Sequence, residues 1–503
     1  MEEHCRESGD PSVTGLEYDS RKVKPGYLYF ALPGLHTDGH RFIPQAIANG
    51  AVVIVHQDEV PEYSPGIRYL RVRDSRFAMS PLSAAFYGYP ARKLTLIGVT
   101  GTEGKSTTVY LIYQLLELAG KKAGFISTVQ YSDGSGETRN PEHQTTPEAV
   151  TIHRLLSEMI GNGAGYGVIE ASSHGLSKRT NRLGDVPFDA AVMTNVTHEH
   201  LEFHGTWEQY RDDKANLFRA LEKFDHCKNQ SPVPSFGVAN ADDPSAGFFA
   251  TATVHKTYTY STRSNTADLS LRSIESGVSG NSYEVFIRET GEAVDIQDHL
   301  PGAFNAGNVL ASLLTVSGLL GIPVKDLVPL VTQLKPVRGR MTAIQKGQPF
   351  DVFVDYAHTP SSFETIFPPL RKELQRRSGR LISLFGSAGE RDTKKRPEQG
   401  RIASQWSDLV FLTDEDPRGE VPMDILEEIA KGCPERKRGE NLFLIPDRPE
   451  AIRKAFSLAR PGDIVLLLGK GHENSIIYAQ ETRPYDEIAE AEAALAEMGY
   501  PGR

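Results

Sequence analysis

Short apolar runs alternate with segments of helical periodicity along most of this 503-residue chain. That alternation predicts α/β layers with largely parallel sheets. LTLIGVT (94–100) reads as a buried strand, VYLIYQLLELAGKKAG (109–124) as a helix ended by Gly120, and FISTV (125–129) as the next strand. Further buried strands are predicted at GVIEAS (167–172), AAVMTNV (190–196), DVFVDYA (351–357), RLISLFGS (380–387), DLVFLTDE (408–415) and DIVLLLGK (463–470). Each runs into polar residues, and in open α/β sheets ligands bind beyond the carboxyl ends of strands. Residues 260–300 are polar with weak alternation, which predicts an antiparallel meander at a sheet edge. YGYPARK (87–93) and KPVRGRM (335–341) mark boundaries between three segments, 1–92, 93–337 and 338–503. A length prior of ~150 residues per domain gives the same count.

Composition narrows the class. Hydrophobic residues at 39% and charged residues at 24% suit an ordinary soluble protein with several cores. A net charge of −10 argues against general affinity for nucleic acid or acidic membranes. Cys5, Cys227 and Cys433 are far apart and form no C-x-x-C pair, so a reducing compartment is expected, without disulfides or a zinc site. The polar, acidic start MEEHCRESGD is no secretory signal. The longest apolar run, VLASLLTVSGLLGI from Val309, is too short and too rich in Ser, Thr and Gly for a membrane span. These features point to a cytoplasmic globular protein.

The chemistry begins at GVTGTEGKSTT (98–108), where a predicted strand becomes a helix. Backbone N–H groups at such a glycine-rich turn attract phosphate, helped by the helix dipole. Lys105 supplies a point charge for β- and γ-phosphates, and Ser106 a hydroxyl for Mg²⁺. Two details depart from the generic phosphate loop, whose spacing puts glycine where this chain has Val99. Glu103 adds a carboxylate with no phosphate-binding rationale. The plain alternative is a tight turn that uses glycine for geometry. Downstream, IEASSHGL (169–176) offers Glu170 at a strand end, and TNVTHEHLEFHGT (194–206) carries three histidines. With no cysteine close by, Mg-nucleotide chemistry fits this order better than zinc. His198 and Glu199 read as an exposed polar loop.

GVTGTEGKSTT, IEASSHGL, TNVTHEHLEFHGTWEQYRDDKANLF, GAFNAGNVLAS, VRGRM, VDYAHTP, GSAGERDTKKRP and LGKGHE occur in the order seen in the Mur ligase family, which the chain resembles over nearly its whole length. That family joins amino acids to the cell-wall precursor and carries a phosphate loop of this longer spacing. The opening DSRKVKPGYLYFALPGLHTDGHRFIPQAIANGAVVIV (19–55) is similar to the uridine-nucleotide-binding domain of the branch that adds the third, diamino residue. The resemblance implies three α/β domains: a UDP-MurNAc-binding domain (1–92), a central phosphate-loop ATPase domain with a mostly parallel sheet (93–337), and a Rossmann-like amino-acid-binding domain (338–503). It also implies an ATP-dependent carboxylate–amine ligase. Such an enzyme activates its substrate as an acyl phosphate, which the incoming amine attacks.

Roles follow by resemblance. Gly101, Thr102, Glu103, Gly104, Lys105, Ser106 and Thr107 would form the ATP loop, with Lys105 on the γ-phosphate. Ser106 and Glu170 would serve magnesium, and His200 a second magnesium. Lys214 stands where the family carries a carbamylated lysine, although taken alone it reads as an ordinary helix-surface residue. Asn305, Arg340, Asp355 and His358 resemble nucleotide contacts, while Asn305 alone could cap the helix that follows. Ser20 and Arg21, near TDGH (37–40), resemble contacts to the UDP-sugar peptide in the first domain, and Thr145, Thr146, Ser172 and Arg182 resemble its central-domain contacts. For the third residue, family members using meso-diaminopimelate show D-N-P-R, whose arginine grips the distal carboxylate. Here the stretch is Asp414-Glu415-Asp416-Pro417-Arg418, with Arg391, Gly469 and Glu473 as the remaining matches. The extra carboxylate of Asp416 could favour a terminal ammonium, or pair with Arg418 and leave lysine or ornithine preferred. Diaminopimelate and a simple basic amino acid therefore both stay open. The implied partners are UDP-MurNAc-L-Ala-D-Glu and a diamino acid, bound by a monomer.

Other classes fit less well. A nucleotide-controlled binding module without ligase chemistry would be the main non-enzymatic reading, but GTPase switches carry an N-K-x-D motif that is missing here. A folylpolyglutamate synthetase shares the ATPase and C-terminal domains but has neither a first domain like residues 1–90 nor the D-P-R pocket. The D-P-R and GKGHE pair also argues against the ligases that add D-glutamate or the terminal dipeptide.

Overall fold

The computed structural model describes residues 2–4, 11–34, 37–140, 144–197, 201–277 and 279–502. The chain forms two compact units: Met1–Ser270 with Phe286–Glu292 and Asn308–Leu330, and Leu271–Val285 with Ala293–Gly307 and Val331–Arg503. Mostly parallel sheets flanked by helices build both, as the alternating pattern predicts.

In the first unit, residues 2–71 supply a five-stranded sheet. Gly15–Glu17, Tyr27–Phe30, Ala51–His56 and Arg68–Arg71 run parallel, and Glu2–His4 pairs antiparallel at the edge. Helix Ser75–Phe86 starts at Asp74, whose carboxylate accepts the Phe77 N–H at 2.9 Å. Leu28, Phe30, Val53, Val55 and Met79 form a core shared with Ala149 and Val150 of helix Ala149–Gly161. Each such large side chain contributes about 2 kcal/mol when removed from water, so this shared core ties the first sheet to the central one.

The central sheet is parallel through Thr257–Ser261, Phe236–Asn240, Ala190–Met193, Thr95–Thr100, Tyr166–Glu170 and Ala123–Ile126. Thr95–Thr100 lies between Tyr166–Glu170 and Ala190–Met193, with Glu170 beside Val99 and Met193 beside Thr100. This is a topological switch point, and the crevice at such a point is where ligands bind. Helix Lys105–Leu118 begins four residues before the predicted 109, because Gly104 takes a left-handed conformation (φ 79°) and lets the polar Lys-Ser-Thr-Thr stretch fill the first turn. The apolar run near 309 belongs to helix Phe304–Leu320. Among the described residues no helix is long and apolar enough to cross a membrane.

In the second unit, Asp351–Asp355, Ile464–Leu468, Leu381–Phe385, Leu409–Leu412 and Leu442–Leu444 are parallel, and Thr342–Ile344 adds an antiparallel edge. Asp355 lies beside Leu468 and Phe385 beside Leu412, so the motifs after these strands emerge at one end of the sheet. The predicted meander is present as Leu269–Gly277, Gly280–Ile287 and Glu292–Asp298, side by side with the last strand at the edge. Most buried strands end two or three residues before their predicted limits, at Glu170, Met193, Asp355, Phe385, Leu412 and Leu468. The polar tails are loops, and those loops carry the candidate site.

Candidate active site

The phosphate loop is held from outside by the end of strand Ala190–Met193. The Glu103 N–H donates to Asn195 Oδ1 (2.9 Å), and the Glu103 carbonyl accepts from Thr194 Oγ1 (2.6 Å) and Asn195 Nδ2 (3.2 Å). Residue 103 is therefore fixed through its backbone, which a glutamate supplies as well as any other residue. The loop needs glycine at 101 and 104: an added Cβ would lie 1.9 Å from Thr194 Oγ1 in the first case and 2.7 Å from Asn308 Oδ1 in the second. Val99 is a fully buried strand residue, so the usual glycine position has no turn to make here. Asn195 and Thr194 escaped the sequence reading because their partners lie more than 90 residues away.

Two lysines converge on this loop. Lys105 Nζ donates to the Thr102 carbonyl at 2.7 Å, and Lys214 Nζ to the Gly101 carbonyl at 2.6 Å. Lys214, in helix Trp207–Arg219, is 1% exposed and sits 4.4 Å from the centre of the Tyr210 ring. It is not the helix-surface residue that its polar neighbours suggest. Ser106 Oγ donates to Glu170 Oε1 at 3.0 Å, and the Thr128 N–H donates to Glu170 Oε2 at 2.8 Å. A hydroxyl and a carboxylate side by side are the oxygen donors a hard divalent cation prefers. His198, Glu199 and His200 lie outside the described residues. His204, the third histidine of that stretch, is buried, with Nδ1 2.8 Å from Asp213 and Nε2 3.0 Å from Ser173 Oγ.

The central-domain residues expected to contact the substrate also meet. Thr146 Oγ1 donates to the Glu170 carbonyl (2.7 Å) and lies 2.9 Å from Ser172 Oγ, while half-buried Thr145 precedes it. Arg182 donates to the Thr146 carbonyl (2.8 Å) and to Glu148 (2.7 Å), so it is positioned by the same turn. Thr145 and Thr146 precede helix Ala149–Gly161 without capping it, because Thr146 faces the strand end instead. Ser20 is buried against Gln45 (2.8 Å), whereas exposed Arg21 forks onto Asp19. Asp38, His40 and Asp58 bring possible ligand atoms within 4.8 Å. Both His40 ring nitrogens are already engaged, Nδ1 with Asp38 and Nε2 with the Gln57 N–H, which marks the group as a loop brace.

In the second unit, Asn305 is buried and donates to the Pro301 carbonyl at 2.8 Å, inside the helix start rather than capping it. Asp355 accepts the N–H groups of Met341 and Ala357, both at 2.7 Å. Burial pushes its carboxyl pKa up, with Arg340 opposing. Arg340 lies over the Tyr356 ring at 4.8 Å, and His358 Nδ1 meets the Tyr356 carbonyl at 2.9 Å. Tyr356 donates to Glu473 at 3.2 Å. Asp416 pairs with Lys470 of the GKGHE stretch (2.9 Å) and accepts the Ile477 N–H (3.0 Å), not with Arg418. Burial works against the Lys470 ammonium, but Glu473 and Asp416 outweigh it and hold its pKa above the ordinary value. Arg418 keeps a left-handed backbone (φ 54°) by donating its N–H to the Ile477 carbonyl, and makes no ion pair among the described residues. It lines a cleft of about 550 Å³ with Glu420, Tyr478, Gln480, Glu481 and Arg483, partly built by hairpin Ser475–Ile477/Thr482–Pro484. Arg391 is exposed. Buried Glu415 has an Oε2 with no hydrogen-bond partner, and Gly469 lies against it.

Asp414 carries a pH signature. Burial pushes its carboxyl pKa from 3.8 to about 6, against the Tyr478 hydroxyl and Arg448. Its protonated form therefore favours the fold, a contribution present below about pH 4 and lost as pH rises through about 6. Asp414→Asn should flatten that component, seen as a smaller fall in Tm between pH 4 and 6 than in the unaltered protein.

A strand-end carboxylate, a lysine-bearing loop at a switch point and a second motif-bearing sheet end are the parts of a nucleotide-binding protein of modular α/β build. Residues 12–87 match the domain described as Mur ligase family, catalytic domain; 99–316 match the Mur ligase middle domain; and 339–471 match the Mur ligase, glutamate ligase domain. The chain belongs to the Mur ligase family. It is 51% identical to the UDP-N-acetylmuramyl-tripeptide synthetase of Treponema denticola over 98% of this chain and 95% of that protein. It is 37% identical to the UDP-N-acetylmuramoyl-L-alanyl-D-glutamate–2,6-diaminopimelate ligase of Caldanaerobacter subterraneus subsp. tengcongensis, covering 97% of this chain and 96% of the relative. A solved structure of a ligase with that same name aligns with a TM-score of 0.62 at 29% identity, over 97% of this chain and 95% of that one.

Proposed function

We propose that this ligase adds a diamino acid as the third residue to UDP-MurNAc-L-Ala-D-Glu, using ATP, in peptidoglycan synthesis. The convergence of Lys105 and Lys214 on adjacent carbonyls of one loop, beside the Ser106–Glu170 pair, is the observation that carries this reading. First the precursor carboxylate attacks the γ-phosphorus and ADP leaves; then the amine attacks the acyl carbon, phosphate leaves and the amine proton is lost. Gly101 to Thr107 would cradle the phosphates, with Lys105 moving from the Thr102 carbonyl to the γ-phosphate. Ser106 and Glu170 would hold Mg²⁺, with His200 serving a second ion and Lys214 contributing as a carbamate. Bound magnesium would neutralise charge on the transferring phosphoryl group. Asn305, Arg340, Asp355 and His358 would contact the nucleotide; Ser20, Arg21, Thr145, Thr146, Ser172 and Arg182 the UDP-sugar peptide.

Arg391, Glu415, Asp416, Arg418, Gly469 and Glu473 would receive the third amino acid. Asp416 is engaged by Lys470, which leaves the Arg418 guanidinium available for a carboxylate and the unpartnered Glu415 oxygen for an ammonium. We read the enzyme as a cytoplasmic monomer. Phosphate release with UDP-MurNAc-L-Ala-D-Glu and, separately, diaminopimelate, lysine and ornithine tests the reaction; release independent of any acceptor would overturn it. Arg418→Ala should raise the KM for the third amino acid by about tenfold, the loss of one charge-assisted contact, with little change for ATP. A change confined to ATP would remove Arg418 from the pocket.

A further inference from the structure

Arg448 lies behind the two loops just assigned to the third amino acid and touches neither cleft nor solvent. Its side chain and that of Glu487 are both 0% exposed. Nε and Nη2 fork onto the Glu487 carboxylate (2.8 and 2.6 Å), and the Tyr485 hydroxyl donates to the same carboxylate at 2.6 Å. The remaining bonds go to backbone. Nη1 donates to the Asp414 carbonyl (2.9 Å) and Nη2 to the Leu468 carbonyl (2.7 Å). Those carbonyls belong to the residues immediately before Glu415 and Gly469, where the two loops begin.

The strands feeding these loops, Leu409–Leu412 and Ile464–Leu468, are not neighbours, because Leu381–Phe385 runs between them. Each is laddered to that middle strand, but no ladder hydrogen bond joins the two directly, and the pairing with it stops at Leu412 on one side and Leu467 on the other, short of the loops that follow. A planar guanidinium with several fixed donors can set the spacing of those loops, provided an anion holds it in place, and Glu487 at the start of helix Glu487–Glu497 does so. The loops do meet: Glu415 Oε2 is 3.1 Å from where a Cβ on Gly469 would sit. A buried ion pair is weak evidence of stabilisation, since desolvation consumes most of the attraction. Its geometry across two separated strand ends points elsewhere.

We propose that Arg448 is a positioning residue that fixes the separation of the Glu415–Arg418 and Gly469–Glu473 loops, and so the fit of the third amino acid. The proposal rests on the pocket reading above. Arg448→Lys keeps the charge but cannot hold both carbonyls and the carboxylate together. It should raise the KM for the third amino acid at least about tenfold, toward the roughly hundredfold effect that a 1 Å misplacement can have, while the KM for ATP stays within about twofold. Unchanged constants in folded Arg448→Lys, or equal rises for both substrates, would overturn the proposal. Should that variant fail to fold, Glu487→Gln, which keeps the shape but weakens the anchor on Arg448, is expected to give the same split and is judged by the same results. Arg418→Ala is the control for the pocket itself. If it leaves the amino-acid KM unchanged, the pocket reading falls and this proposal with it. If it raises that KM and Arg448→Lys does not, the positioning role alone is lost.

Discussion

Lys105→Ala is expected to reduce product formation about a thousand-fold, the scale on which removing one preorganised charge-stabilising group acts. The lysine lies at the first turn of helix Lys105–Leu118, half-buried, with its ammonium on the Thr102 carbonyl at 2.7 Å. Nothing in the core depends on it, and alanine is a strong helix former. The folded state should therefore survive, with Tm nearly unchanged. What disappears is the mobile positive charge that can leave a backbone carbonyl for an incoming phosphate, where charge builds during transfer. Coupled measurement of ADP, phosphate and tripeptide product separates this from a substrate-binding defect, because the residues proposed to bind the precursor and the amino acid are other ones. Near-normal product formation by a folded Lys105→Ala protein would remove the loop from the chemistry.

The fold was legible where burial leaves a one-dimensional trace. Strands such as Thr95–Thr100 and Ile464–Leu468 are buried on both faces, so they read as unbroken apolar runs with polar tails. Hairpin Ser475–Ile477/Thr482–Pro484 left no such trace, because it is short and its second strand is exposed, yet it supplies part of the cleft beside Arg418. The candidate site residues stand out as motifs, but the partners they meet do not. Asp416 finds Lys470 across 54 residues, and Lys214 finds Gly101 across 113. Local sequence pointed the wrong way for Lys214, whose neighbours Arg211, Asp212 and Asp213 suggest a solvated helix face. The Glu103 departure also makes sense only in three dimensions, since the loop uses that residue's amide and carbonyl. Pairings across a sheet end depend on strand order, which the runs do not encode.

Lys214→Ala should lose activity by two to three orders of magnitude, comparable to removing another charge-stabilising group at the transferring phosphoryl, and should regain part of it when acetate or formate is added. The argument starts from burial. A lysine that is 1% exposed with its nitrogen 2.6 Å from a loop carbonyl is held against the phosphate loop, whichever charge it carries. If it acts as an ammonium, its task is to steady the Gly101 carbonyl, and small alkylamines should restore the alanine variant better than carboxylates do. If its nitrogen has bonded to CO₂ with loss of a proton, the group is a carboxylate-like anion, able to approach cations held by Ser106 and Glu170. Short carboxylates then replace it, and amines do not. Removing the buried stem also leaves a cavity costing on the order of 1–3 kcal/mol, so Tm should fall in either case and does not discriminate. The rescue series does: carboxylate-selective recovery supports the carbamate, amine-selective recovery overturns it, and full activity without any additive would take Lys214 out of the reaction.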